Sequence, residues 1–298
     1  MAVAGYSDSR GEKVNNLLHG LSLVDPEAEI LAFADIDACP KPSWLRSLVA
    51  PLGDRRVTVS TGFRWYLPGP GLVSQLRAAW DTSIATLLGE RKQNFAWGGA
   101  MAIRAADFRR LKVAERYWAS TVSDDYALTR AVREARGWVR FEPACLVASR
   151  ENSSLGDFIR WANRQIIITR VYAPHLWRTG LAVYLFYCGT CLWGLVLLFL
   201  PGLAAWERAL IAAVLLSILL LGAAKGRIRS VVARELFPEE AETLRRYGPR
   251  YWQLAPLVPW VMLVNFLLAG FTHRIEWRGV EYELRPMQGV RVIRRETR

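Results

Sequence analysis

The sequence predicts an α/β domain followed by a membrane-inserted helical region, and three observations predict it. Short apolar runs alternate with polar-capped helical stretches through residues 1–155, the pattern of a layered α/β sandwich. Leu181–Leu203 carries no charge and exceeds the roughly 20 residues that cross a bilayer. Between them in character, Ile30-Leu31-Ala32-Phe33-Ala34 runs straight into Asp35-Ile36-Asp37. That run reads as a buried strand ending in two carboxylates.

In the first half, Ala2–Ala4 reads as the end of a strand and Lys13–Leu18 as the start of a helix ending near Gly20. Ser43 is a candidate cap for a helix over 44–50. Val57–Thr61 alternates as a strand, and Leu72–Leu88 has helical periodicity. Phe95–Ile103 is a loop carrying Gly98 and Gly99 that becomes an apolar strand. Ser123 caps a helix whose first turn holds Asp124 and Asp125, at the positive end of the helix dipole. Gly137 stops that helix, and 138–141 returns as a strand.

The 298 residues are 52% hydrophobic, include 13 Trp and carry a net charge of +12. Arginine clusters from Lys225 to Arg250 and again from Arg274 to Arg298. Beside apolar segments such clusters report cytoplasmic orientation and contact with anionic headgroups; the apolar hairpin argues against nucleic acid as the partner. Pro201-Gly202 and Trp206-Glu207-Arg208 separate Leu181–Leu203 from a second uncharged run, Ala209–Ala224. Residues 181–224 are therefore expected to form a transmembrane hairpin, after an interfacial region at 156–180. A basic amphipathic cytoplasmic segment at 225–254 follows. Residues 255–272, with Pro256 and Pro259, are expected to be re-entrant, or else a third span, and 273–298 a basic tail. Cys188 and Cys191 lie within the first apolar helix, where small packing residues are expected, and the three histidines form no ligand pattern. Residues 1–6 have neither the basic n-region nor the apolar core of a signal peptide.

Asp35 and Asp37 project from one strand end, where open α/β sheets bind ligands. Two hard oxygen donors suit Mg²⁺ or Mn²⁺ held against a diphosphate; the same triplet also reads as a solvated acidic turn. Asp124 and Asp125 equally read as helix-stabilising charges, Gly98-Gly99 as a turn, and Arg160-Trp161 as an interfacial pair.

Their order points further. Lys13–Leu17, Ala34-Asp35-Ile36-Asp37, Trp97-Gly98-Gly99, Asp124-Asp125-Tyr126 and Arg160-Trp161 together resemble family 2 glycosyltransferases, and more closely their ceramide glucosyltransferase-like branch. Ile275–Tyr282 resembles a motif that follows the last membrane segment there. The resemblance implies a GT-A-type, Rossmann-like nucleotide-sugar domain. It implies inverting transfer from a UDP-sugar to a ceramide- or diacylglycerol-like lipid hydroxyl, in a bacterial-type inner membrane with the catalytic domain cytoplasmic. By that analogy Asp35 and Asp37 hold a divalent cation. Lys13, Asn16, Gly98 and Gly99 contact the donor, Asp125 is the base with Asp124 beside it, and Arg160 and Trp161 end a Q/R-x-x-R-W motif. The membrane lipid, the bilayer and the UDP-sugar are the implied partners, with no obligate protein partner. Two departures stand out. Asp157 occupies the Q/R position, and Arg164 and Gln165, about one helical turn beyond Arg160, are the candidates to compensate. The anchor and first strand of the family are missing ahead of Met1, so the GT-A domain is expected to be N-terminally incomplete. The competing expectations are a processive polysaccharide synthase and an inactive protein that keeps part of the fold.

Overall fold

The computed structural model describes residues 2–92, 94–285 and 289–295. Residues 2–4 form no strand; this segment lies against Asn15, whose Nδ2 donates to Ala4 O at 3.4 Å and to Gly5 O at 3.1 Å. Helix α1 spans Glu12–Leu21 and strand β1 spans Ile30–Ala34. Helix α2 is Trp44–Val49, but Ser43 makes no side-chain cap bond because its backbone is already helical, whereas a capping residue needs extended dihedrals. There follow β2 (Val57–Thr61), β3 (Arg64–Tyr66), α3 (Leu72–Ala85), β4 (Ala100–Arg104), α4 (Ala105–Arg110), α5 (Asp124–Glu134), β5 (Trp138–Phe141) and β6 (Val147–Ser149). Ser123 caps α5 as expected, its hydroxyl accepting from Tyr126 N.

Four strands make the main sheet in the order β1-β4-β2-β5. The central strand β4 runs antiparallel to β1 and β2, while β2 and β5 are parallel. Every residue of β2 is buried, so the expected alternation is absent. The sheet is covered on both faces: Val59, Ile103 and Leu128 belong to one core, and Val57, Ala102 and Leu48 to the other. A bulge between Val57 and Val59 sends these two valines to opposite faces, since a one-residue slip reverses side-chain direction.

Beyond the sheet, α6 (Leu155–Tyr172) meets α7 (Pro174–Phe199) at Ala173, and α8 is Ala205–Leu236. Both α7 and α8 are long and apolar enough to cross a membrane and are little buried within the protein. The helix of the second apolar run does not end at Ala224 but continues twelve residues to Leu236. Its extension is held by packing: Ser230 Oγ donates to Gly248 O at 2.7 Å, and a Cβ on Gly226 would lie 2.5 Å from Trp252 Cα. After α9 (Ala241–Tyr247) and α10 (Arg250–Gln253), α11 covers Val258–Gly270. Its 13 residues reach about 20 Å, short of the roughly 30 Å hydrocarbon layer. It packs on α6 and α7: Asn265 Nδ2 donates to Asn163 Oδ1 at 2.7 Å, and Trp177 Nε1 to Phe266 O at 3.2 Å.

The C-terminal region is not a tail. Arg274–Trp277, Val280–Arg285 and Gly289–Arg295 form an antiparallel sheet, β7-β8-β9. Val280, Tyr282 and Leu284 bury one face of it in a core shared with Phe158, Ile166 and Met262. Glu12 N donates to Tyr282 Oη at 3.2 Å, and Arg295 pairs with Glu12. The sheet therefore clamps the start of α1.

The Tyr251 hydroxyl donates to Tyr66 O at 2.8 Å and accepts from Trp65 Nε1 at 3.0 Å, both buried. Tyr251→Phe leaves these groups unpaired, which costs about 1–3 kcal/mol. Thermal unfolding of the detergent-solubilised variant should show a lower midpoint.

Candidate active site

Sheet register brings the predicted residues to one edge. Ala34 at the end of β1 pairs with Ala100 at the start of the antiparallel β4. Gly62 N, just past β2, donates to Ala100 O at 2.9 Å. The residues that leave β1, enter β4 and follow β2 thus share one rim: Asp35 and Asp37, Gly98 and Gly99, and Arg64. The N-termini of α1 and α5 add Lys13, Asp124 and Asp125.

Two cations knit three carboxylates there, with Asp125 beside them. Lys13 Nζ donates to Asp35 Oδ1 at 2.9 Å and pairs with Asp124 Oδ2 at 3.2 Å. Arg64 Nη2 reaches Asp35 Oδ2 at 3.1 Å and Asp37 Oδ1 at 2.9 Å. Burial alone would lower the Lys13 ammonium; the charges of Asp124, Asp35 and Asp125 outweigh it and hold it above its usual value. Burial pushes the Asp124 carboxyl up, against the pull of Lys13, and Asp125 adds to the rise. The Arg64 hydrogen bond holds Asp37 below the ordinary carboxylate range.

Asp124 and Asp125 do not share the helix-start role that the sequence allows to both. Asp124 is 2% exposed and turns across to Lys13. The half-buried Asp125 takes the helix-start donors instead: Oδ1 accepts from the Ser123 hydroxyl and from Tyr126 N, and Oδ2 from Gly98 N at 3.3 Å. The two glycines are required by crowding. A Cβ on Gly98 would lie 2.6 Å from Lys13 Nζ, and one on Gly99 2.7 Å from Asp35 Oδ2 and against the Trp97 ring.

Other predicted residues stand apart. Asn16 is exposed on α1 and does not join the cluster. Arg160 is exposed and pairs with Asp157. Asp157 closes a capping box with Ser154, so the acidic residue at the Q/R position serves the start of α6. Trp161 packs edge-on to Tyr66 and Trp80, centroids 5.6 and 5.1 Å away. It reaches the cluster indirectly, since the Arg64 guanidinium lies over Tyr66 and Trp97. Behind this wall Arg77, 4% exposed, donates to Tyr66 Oη at 2.9 Å and stacks on Trp161. Beside it, burial pushes the Asp81 carboxyl up to about 8, against Arg77 and Arg64.

Sequence reading missed Arg64. Its signal lay in the flanking aromatics of Phe63-Arg64-Trp65-Tyr66, which mark an arginine held among ring faces. Among the described residues, no group of three or more His, Cys, Asp or Glu could hold a metal alone. Asp35 and Asp37 nonetheless converge on one cation, Arg64, so this pair has the donor set of a site completed by phosphate oxygens and water.

The sequence pattern of glycosyl transferase family 21 matches residues 1–290. The chain belongs to this family. It is a glycosyltransferase, and the resemblance drawn from five short motifs is upheld at the level of the family. No curated protein matches it. In this family 21 enzyme the match takes in the carboxylate rim and strands β7 and β8, and ends two residues into β9.

Lys13→Met keeps the packed stem and strands Asp124 without its cation, a change that costs about 3–5 kcal/mol for a buried pair. With Lys13 gone, the folded-state pKa of Asp124 rises further above the unfolded value. The folded state then holds a proton that the unfolded state releases, so stability falls as pH climbs between the two values. Thermal unfolding should show a larger deficit against wild type at about pH 8 than at about pH 5.

Proposed function

We propose that this glycosyltransferase moves a sugar from a UDP-sugar to a lipid hydroxyl with inversion, at a cytoplasmic membrane surface. One observation carries the reading: four carboxylates share a rim where, among the described residues, two cations are paired with them, a formal excess of two negative charges. Such an excess suits a divalent cation and, through it, an anionic donor. Asp35 and Asp37 would hold that cation. When bound, it supplies positive charge against the leaving diphosphate.

Asp125 is the base of this proposal. Its carboxylate is half-buried at the rim and fixed by Ser123, Tyr126 N and Gly98 N. The acceptor oxygen attacks the sugar's anomeric carbon as its proton passes to Asp125. The bond from that carbon to the diphosphate breaks with its electron pair, and UDP leaves. Asp124, buried against Lys13, keeps the cluster in register.

The lipid acceptor is supported by the path of the chain. Helix α6 has 18 residues, about 27 Å, and runs from beside Trp161's aromatic wall directly into the apolar α7. The hairpin of α7 and α8 returns the chain to its starting side. Arg295 pairs with Glu12, so β9 and α1 lie on the same side of any membrane, and α11 fits a re-entrant helix better than a third span. The Arg-rich segment after α8 favours the cytoplasm.

Asp125→Asn nearly preserves shape but cannot take a proton. It should retain UDP-sugar binding and lose transfer to lipid by about 10²–10⁴-fold; transfer at the wild-type rate would remove Asp125 from this role. Asp35→Ala and Asp37→Ala should abolish the Mn²⁺ dependence of UDP binding measured by calorimetry. Equal affinity with and without Mn²⁺ in the wild type would sink the metal role.

A further inference from the structure

One turn of α6, residues 169–172, reaches three other parts of the protein. Arg170 Nη1 donates to Ala269 O at 2.8 Å and to Thr272 O at 3.2 Å, at the end of α11. Ala173 alone separates this turn from Pro174, the first residue of α7. Its remaining contacts run to Thr121–Ser123, the buried segment that leads into α5, and to Tyr126 in its first turn. Val122 N donates to Tyr172 Oη at 3.1 Å, and Tyr126 Oη lies 2.7 Å from Thr169 Oγ1. The direction of the second bond follows from a count of hydrogens. The Thr169 hydroxyl has one, which goes to Gln165 O at 2.8 Å, so Thr169 accepts and the Tyr126 hydroxyl donates.

Thr169 and Tyr172 are i, i+3 neighbours on one helix face, and the two residues they hold, Val122 and Tyr126, bracket Ser123, Asp124 and Asp125. Two of the bonds that orient the Asp125 carboxylate come from Ser123 and Tyr126, which move with the same segment. Its bond from outside, from Gly98 N, is long at 3.3 Å. Asp124 is tied separately, by its carboxylate to Lys13 and by its carbonyl to Trp118 Nε1 at 3.0 Å, and Gly11 N donates to Thr121 O at 2.9 Å. Lys13 thus holds one carboxylate of the pair, while α6 grips the chain on either side of the next.

We propose that Thr169 and Tyr172 are positioning residues for sugar transfer: together they set how far Asp125 reaches toward the acceptor hydroxyl, so that the base takes its place from the helix that leads into α7. A proton acceptor works only within hydrogen-bond reach of the attacking oxygen, and a displacement of about 1 Å can cost about 100-fold in rate. An acceptor held in a bilayer is located by the membrane. A base placed by α6, which is joined to the apolar α7 and tied to α11, shares that frame of reference. This inference rests on the lipid-acceptor and Asp125 readings given above.

The test uses the full chain in detergent with Mn²⁺. Transfer is followed from UDP-glucose, UDP-galactose and UDP-N-acetylglucosamine to short-chain ceramide and diacylglycerol, with calorimetry of UDP binding and thermal unfolding beside it. Thr169→Val and Tyr172→Phe nearly preserve shape and each remove one bond to the Asp125 segment. Each should lower kcat about 10- to 100-fold, measured below its unfolding midpoint, with UDP affinity unaltered. Thr169→Ser restores the acceptor and should restore the rate. In an Asp125→Asn background, where there is no base to place, Thr169→Val and Tyr172→Phe should cost nothing further. Wild-type kcat in folded Thr169→Val and Tyr172→Phe would overturn the proposal. So would a loss confined to UDP affinity, a Thr169→Ser as slow as Thr169→Val, or equal losses with and without Asp125. A wild type that binds UDP but transfers to neither lipid from any of the three donors would instead refute the lipid reading. A wild-type rate in Asp125→Asn would refute the base reading, and the inference falls with either.

Discussion

Four carboxylates crowd the rim of one sheet, and their repulsion is tolerable only because Lys13 and Arg64 stand between them. Each cation holds two acidic side chains: Lys13 joins Asp35, just past β1, to Asp124 in α5, and Arg64 in β3 holds both ends of the Asp-x-Asp triplet. Ion pairs of this kind contribute little net stability once desolvation is counted. They fix position. With Lys13 in place, Asp124 can be buried and Asp125 left free to face the rim. The glycines at 98 and 99 follow from the same crowding, because the loop that carries them passes within van der Waals reach of Lys13 and Asp35.

The aromatic wall behind the rim is a second layer of the same device. Arg64 and Arg77 each lie against Tyr66, and Arg77 also lies against Trp161. Planar guanidiniums stack on ring faces while keeping their in-plane donors for carboxylates and hydroxyls. Trp161 thus transmits the position of α6 to Arg64 without touching a carboxylate, which separates its role from that of its neighbour Arg160.

Most of the rim was legible because its chemistry sits at strand and helix ends, where apolar runs stop and charged residues begin. Ile30–Asp37 and Ser123–Asp125 announce themselves this way. Arg64 did so only through the aromatics that flank it, because its carboxylate partners come from sequence-distant elements and no spacing encodes them. The bulge in β2 was invisible for the same reason: only pairing with β5 reveals that Val57 and Val59 face opposite cores. Two features could have been read and were not. Val280-Glu281-Tyr282-Glu283-Leu284 alternates as a half-buried strand, yet the surrounding arginines suggested a tail. Ser154-x-x-Asp157 is capping-box spacing, yet Asp157 looked like a defect in a ligand motif. Helix α8 outran its apolar stretch because its last turns are stabilised by packing on Gly248 and Trp252, which hydropathy does not register.

The bond between Arg295 and Glu12 spans 283 positions of sequence. At ribosomal rates of about 5–20 residues per second, roughly 15–60 s separate the synthesis of its two ends. During that interval α1 lacks its clamp and the hairpin of α7 and α8 has yet to be placed. The clamp on α1 is therefore completed last, after the two apolar helices have been made. A nascent chain released early carries the carboxylates without the sheet that clamps the start of α1. The order of synthesis thus puts the two apolar helices ahead of the clamp, and the start of α1 is secured only once nearly the whole chain has been made.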